Sequence, residues 1–190
     1  MNQTTIEYAA TLINPEYKHV LEYGVFEGRT LRRAKDTLSA TFPDKEFKIY
    51  GFDSFVGLPE DWVGEVGFVT HKESFDVKGN IPDIPGVKLF IGWFEDTIPN
   101  YLKEADTISL LHVDCDLYSS TVTVLETMRP YIKSGTIIVF DEWVYFNIEE
   151  CNDHEQKAFY EWVNKYDIKY EFIEFFDYEN PTERKIVKIL

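Results

Sequence analysis

ISLLHVDCD, residues 108–116, decides the fold of this chain: an apolar run that ends in acid, which reads as a strand buried on both faces. Ser119 or Ser120 is placed to cap the helix that follows, whose Val124, Leu125, Met128 and Ile132 share one stripe. Gly135 opens a second apolar run, 136–140, which again ends in acid at Asp141 and Glu142. Two apolar strands joined by an amphipathic helix form one β-α-β unit, and both acidic ends fall at the same edge of the sheet.

The same alternation extends outward in both directions. Upstream lie a strand at 19–25, a helix at 29–42 ended by Pro43-Asp44, and strands at 47–55 and 87–94. Thr97 is placed to cap a short helix running to 105, with Pro99 tolerated in its first turn. Downstream, Phe159, Trp162, Val163 and Tyr166 mark a helix over 154–167. Strands at 170–176 and 185–190 pair as an antiparallel hairpin, separated by Asn180-Pro181. The expected fold class is therefore α/β and Rossmann-like: a mostly parallel seven-stranded sheet, helices on both faces, and an antiparallel C-terminal edge. Residues 1–190 suit one domain. In such sheets ligands bind at the carboxyl ends of the strands, near the switch in strand order. Residues 56–86 resist the pattern, holding half of the ten glycines and three of the eight prolines; they read either as a lid or acceptor-binding loop or as a plain surface excursion.

Composition narrows the function classes. The formal net charge of -15 repels phosphate backbones and anionic lipid heads, so neither nucleic acid nor membrane is an expected partner. Cys115 and Cys151 are too few for a disulfide framework or a four-cysteine zinc site, which fits a reducing, cytoplasmic setting. The first residues lack a basic region and a long apolar core, so no signal peptide is expected. No apolar run approaches the roughly 18 residues of a membrane span.

Four places carry candidate chemistry. In EYGVFEGRT, residues 22–30, Gly24 and Gly28 permit a tight turn into a helix whose free N–H groups suit an anionic group; a plain strand-to-helix turn explains the residues equally. The pattern is not G-x-G-x-x-G, which disfavours a nicotinamide cofactor and an oxidoreductase. Asp53, ending the second strand, suits both ribose hydroxyls of a nucleoside, or serves as a solvated turn or cap. Gly92-Trp93 walls an adenine or packs in the core. The acids of 114–116 and 141–142 either converge on a hard divalent ion such as Mg²⁺ or point apart into water.

The runs LEYGVFEGRT, YGFDSFVGLPEDW, GWFEDTIP, LLHVDCDLYSST and GTIIVFDEW, in this order over residues 20–143, resemble the macrocin O-methyltransferase family, and the later HEQKAF is also similar. The resemblance implies a class I fold that binds S-adenosylmethionine and Mg²⁺. Carried over, Glu22, Gly24, Gly28 and Thr30 would hold the methionine end of the cofactor, Asp53 with Ser54 the ribose, and Gly92 and Trp93 the adenine. Asp114, Asp141 and Glu142 would be the metal ligands. Asp116, on the same strand face as Asp114, would support the site or replace a ligand. The resemblance, together with exposed aromatics, also implies a homodimer. The chain departs from the family pattern in having fewer than 20 residues before its first strand. Leu117 stands where the wider metal-dependent group carries Lys, and Glu142 where Asp or Asn is common.

The implied activity is O-methylation of a small-molecule hydroxyl, a sugar or other vicinal diol that chelates the metal, by in-line displacement at the sulfonium methyl. Asp114, Asp116 and His112 are the catalytic candidates, with His154 a further candidate base. The competing readings are a metal-independent N- or O-methyltransferase and a non-catalytic Rossmann-like binding protein.

Overall fold

The computed structural model describes residues 3–63, 67, 69–143, 153–179 and 184–190; Cys151 and the Asn180-Pro181 loop lie outside them. β6 (Ile108–Val113) is buried at every position, as are its neighbours β1 (His19–Tyr23) and β7 (Ile137–Phe140). With β2 (Lys48–Asp53), β5 (Val87–Ile91), β8 (Tyr170–Ile173) and β9 (Lys185–Ile189) they form one sheet in the order β5-β2-β1-β6-β7-β9-β8. The first five strands run parallel, while β9 pairs antiparallel with β7 and β8 antiparallel with β9. The seven-stranded expectation holds. The strand order reverses between β1 and β6, which opens a crevice at their carboxyl ends.

Alternation along the strands sends side chains into two cores. Leu21, Leu111, Val113, Ile138 and Phe140 join Val124, Leu125 and Met128 of α4 (Tyr118–Met128) and Phe159 and Trp162 of α5 (His154–Tyr166). Ile98 and Tyr101 of α3 (Phe94–Tyr101) complete that face. On the other face Val20, Leu110, Ile137 and Val139 pack on Leu31, Ala34 and Leu38 of α2 (Arg29–Thr41). They also meet Ile6, Ala9 and Ala10 of α1 (Thr5–Thr11), a helix that sequence reading missed. Its signal was the capping box Thr4-x-x-Glu7, in which Thr4 N–H and Oγ1–H both donate to Glu7 Oε2, at 2.7 and 2.8 Å.

Several element ends differ from expectation, each for a local reason. β6 stops at Val113, and Asp116 adopts a left-handed φ of 60°, so Asp116 lies in the turn after the strand and not on a shared strand face with Asp114. Leu117 is the N-cap of α4, which leaves Ser119 and Ser120 inside the helix; the amide of Tyr118 donates instead to His154 Nδ1 at 3.2 Å. α3 begins at Phe94 with Trp93 as its N-cap, and Thr97 turns its hydroxyl back to the Trp93 carbonyl at 2.9 Å. Within 56–86, β3 (Trp62–Val63) and β4 (Val69–Thr70) make a small hairpin, and Val56 bridges Asp76. Residues 64–66 and 68 of that segment are outside the description. No helix among the described residues is long and apolar enough to cross a membrane.

Gly24 joins the two halves of the crevice. It follows β1 with φ 92°, and a Cβ there would sit 1.6 Å from the carbonyl oxygen of Asp114. We expect Gly24→Ala to lose at least about 2 kcal/mol in urea denaturation. Gly79, whose Cβ would meet nothing within 4 Å, should cost only the roughly 1–2 kcal/mol of its left-handed φ of 81° when replaced by Ala. Equal losses would show that the backbone contact is not what fixes Gly24.

Candidate functional site

A cleft of about 370 Å³ opens at the carboxyl edge of the sheet, across the point where strand order reverses. The turn after β1 supplies Gly24, Val25, Phe26, Arg29 and Thr30 to its wall, and the ends of β2 and β5 supply Asp53, Ser54 and Trp93. Asp114, Asp116, Asp141 and Glu142 bring the acidic ends of β6 and β7 to the same space. Leu58, Pro59, Trp62 and Phe75 from 56–86 close it from outside, and Phe75 meets Phe26 edge to face at 5.8 Å. Thus nine of the residues singled out from sequence line one cleft. Glu22, Gly28, Gly92, His112 and His154 do not line it.

Each of these has a definite local role. Gly28 is the N-cap of α2, in a left-handed conformation that supplies no side-chain cap to the first-turn amides, and Arg29 and Thr30 of that turn line the cleft. Asp53 Oδ2 accepts from the amides of Val25 and Phe26 at 2.7 and 2.8 Å, and Oδ1 from Phe55 at 2.6 Å. The Asp53 carboxylate therefore shapes the glycine turn, with one acceptor position left on Oδ1. Ser54 Oγ–H donates to the Gly57 carbonyl at 2.7 Å.

Beneath the cleft floor runs a buried chain of polar groups. Thr30 Oγ1–H donates to Glu22 Oε1 at 3.0 Å. His112 lies between Glu22 Oε2, 2.9 Å from its Nδ1, and Asp141 Oδ1, 3.1 Å from its Nε2. Burial disfavours charge on His112, but the hydrogen bonds to Asp141 and Glu22 prevail and raise its pKa to about 10. Burial likewise pushes Asp141 upward, but His112 and Arg184 hold it down at about 2. One ligand atom each from His112, Asp114 and Asp141 lies within 4.8 Å of the others. His112 has both ring nitrogens engaged by carboxylates, which leaves neither for a metal. The oxygen donors are therefore the carboxylates.

Apart from Asp141, those carboxylates are poorly compensated. Burial, then the charge of Asp141, raises Asp114 well above the usual range, and burial with Asp141 and Asp53 pushes Asp116 up to about 7. Glu142 is raised by burial and by Asp114 and Asp116, and its enclosed Oε2 has no hydrogen-bond partner among the described residues. Three neighbours were missed by sequence reading. Arg184, one residue before β9, reaches back to grip Asp141. Glu155, fully buried at the start of α5, accepts from the amide of Glu142 at 3.1 Å, while its Oε1 lacks a partner among the described residues. Gln156 Nε2–H donates to the Trp143 carbonyl. Glu155 and Gln156 together pin the Asp141–Trp143 turn, and the only signal for them was their place in HEQKAF. His154, also a candidate base, receives Tyr118 N–H on Nδ1 and sits 3.1 Å from the Val63 carbonyl through Nε2.

Residues 17–174 match the family model described as macrocin-O-methyltransferase (TylF). The demethyldecarbamoylnovobiocin O-methyltransferase of Streptomyces niveus is 29% identical over 177 residues, which is 81% of this chain and 61% of that protein. An 8-demethyl-8-(2,3-dimethoxy-α-L-rhamnosyl)-tetracenomycin-C 4'-O-methyltransferase of Streptomyces olivaceus is 26% identical over 162 residues, 74% of this chain and 58% of that one. The chain thus spans about three fifths of the length of these two relatives. The crystal structure of the calicheamicin methyltransferase CalS11 superposes with a TM-score of 0.73 at 23% identity, covering 96% of this chain and 75% of that one, which shows a shared fold.

The buried polar chain generates a stability prediction. Removing His112 leaves Glu22 and Asp141 facing each other without their shared donor, so His112→Ala should lose about 3 kcal/mol in chemical denaturation. A loss under about 1 kcal/mol would show that the buried carboxylates do not depend on the imidazolium.

Proposed function

The chain belongs to the macrocin O-methyltransferase family, and from that premise we propose that it transfers a methyl group from S-adenosylmethionine to a hydroxyl of a small molecule, with a sugar or other vicinal diol as the acceptor class. The observation that carries this reading is the cleft itself. It joins the glycine turn and Asp53 on one side to four carboxylates on the other, across the switch in strand order. Both curated relatives are named as O-methyltransferases, one for a rhamnosyl compound, which supports a glycoside hydroxyl as acceptor.

In this reading the first-turn amides of α2, with Thr30 held by Glu22, receive the carboxylate of the cofactor's methionine end. Gly24 and Gly28 shape the turn that leads to them. Asp53 offers its remaining acceptor position to the ribose hydroxyls with Ser54 beside it, and Trp93, preceded by Gly92, borders the adenine. When bound, S-adenosylmethionine supplies an electrophilic sulfonium methyl and Mg²⁺ lowers the pKa of a coordinated hydroxyl. Asp114, Asp141 and Glu142 are the residues to hold the ion. The donor set fits a hard cation: it is oxygen only, its carboxylates repel one another, and one buried oxygen of Glu142 lacks a partner among the described residues. Asp116 is the residue assigned to take the acceptor's proton, because its carboxylate faces the cleft while His112 lies beneath the floor with both nitrogens engaged. Phe26, Phe75 and Trp62 give the acceptor an aromatic wall on which an apolar portion can rest. A metal-independent transfer is favoured by one observation, that Asp141 already has two cationic partners.

Calorimetric titration with S-adenosylmethionine and S-adenosylhomocysteine, each with Mg²⁺ and with a chelator, tests the cofactor assignment. Micromolar binding of both is expected, and no binding under any condition sinks the methyltransferase reading. Asp53→Ala should weaken that binding by about tenfold or more, equivalent to roughly 1.4 kcal/mol. Asp141→Asn should leave cofactor binding near normal and lower Mg²⁺-dependent turnover by about a hundredfold. Normal turnover in that variant would exclude the metal mechanism.

A further inference from the structure

The acidic mouth of the cleft carries a cation of its own. Arg184 lines the cleft, with its side chain 11% exposed, and sets Nε on Asp141 Oδ1 and Nη2 on Asp141 Oδ2, the latter at 3.2 Å. Its Nη1 lies 3.6 Å from Asp177 Oδ2. That oxygen in turn accepts from the Thr5 amide at 2.6 Å and the Thr5 hydroxyl at 2.8 Å, at the start of α1. Asp141 Oδ1 thus holds Arg184 Nε and His112 Nε2, which fills the two acceptor positions of a carboxylate oxygen. On Oδ2 one position is left beside Nη2. A divalent ion at Asp141 would meet a nearly saturated carboxylate and a guanidinium of like charge a few ångströms away.

We propose that Arg184 is a resident counter-ion that competes with the divalent cation for Asp141. The proposal rests on the reading above that Asp141 is a metal ligand. Without metal, Arg184 and His112 together keep a buried carboxylate compensated, and either one alone would leave it partly exposed to the repulsion of Asp114. As the cation arrives, the guanidinium yields Asp141 and keeps Asp177, so its charge is never without a partner. Two consequences follow. Apparent cation affinity is lowered by the fraction of molecules in which the Arg184–Asp141 pair is closed. Cation occupancy is also linked to the contact between Asp177 and the first turn of α1.

The test is binding of Mn²⁺, a hard oxygen-preferring ion with its own paramagnetic signal, to the full chain in the presence of S-adenosylhomocysteine. The proteins compared are wild type, Arg184→Gln, Arg184→Lys and Asp141→Asn. If the pair is closed about nine-tenths of the time, Arg184→Gln should bind Mn²⁺ about tenfold more tightly than wild type. Arg184→Lys, which keeps the charge and loses the two-pronged grip, should fall between them. Asp141→Asn should remove most of the binding. Retained S-adenosylhomocysteine affinity in each arginine variant reports an intact fold. Unchanged or weaker Mn²⁺ binding in the folded arginine variants, with normal dependence on Asp141, overturns the competition and leaves the metal site standing. No Mn²⁺ binding to wild type or to either arginine variant overturns the metal site and the competition with it.

Discussion

Buried negative charge is the constraint around which this protein is organised. At the carboxyl ends of adjoining strands, Glu22, Asp116 and Asp141 are buried and Asp114 and Glu142 half-buried. Carboxylates so placed must lose their charge or find a cation. The protein does both. His112 and Arg184 keep Asp141 ionised from two sides, while Asp114, Asp116 and Glu142 are pushed toward their neutral forms. This arrangement uses stability to hold acidic oxygens at the mouth of the cleft, a local conflict in an otherwise self-consistent fold.

The two cores make that arrangement possible. Alternate side chains of β1, β6 and β7 enter opposite helical layers, so the strand ends are held from above and below and their last residues project at the rim. His112 is an interior strand residue whose ring runs under the floor, and its place between β1 and β7 is set by the register that aligns it with Glu22 and Val139. The Asp141–Trp143 turn is held a second time by Glu155 and Gln156 at the start of α5. Helix α1 is tied to the same network through Thr5 and Asp177. A segment far from the cleft in sequence thereby bears on its charge balance.

Much of this was legible before the structure, and the reasons for the rest are physical. The strands β1, β6 and β7 announce themselves because burial on both faces forces an unbroken apolar run, and acid at the end of such a run has few places to go except the rim. Asp53 was readable as a strand-end acid, but its bonds to the amides of Val25 and Phe26 were not, because they depend on how two turns meet in space. Asp116 was read as an extension of the strand. Its left-handed backbone leaves no mark in the sequence, since Asp tolerates that conformation without glycine's help. Arg184 looks like an ordinary surface charge before an edge strand, and only the antiparallel pairing of β9 with β7 carries it to Asp141. Helix α1 was short and its capping box easy to pass over beside the stronger strand pattern downstream.

The contact between Gly24 and the Asp114 carbonyl has a mechanical meaning. With no room for even a methyl group between them, the turn after β1 and the turn after β6 meet backbone to backbone, and neither can move toward the other. The glycine-turn side and the acidic side of the cleft therefore meet along one backbone seam. For the methyl transfer proposed above, whose rate would fall steeply with an error of about one ångström between reacting atoms, that contact would help to fix the spacing of the two sides. The opposite wall is built differently: Leu58, Pro59, Trp62 and Phe75 close the cleft from a segment outside the main sheet.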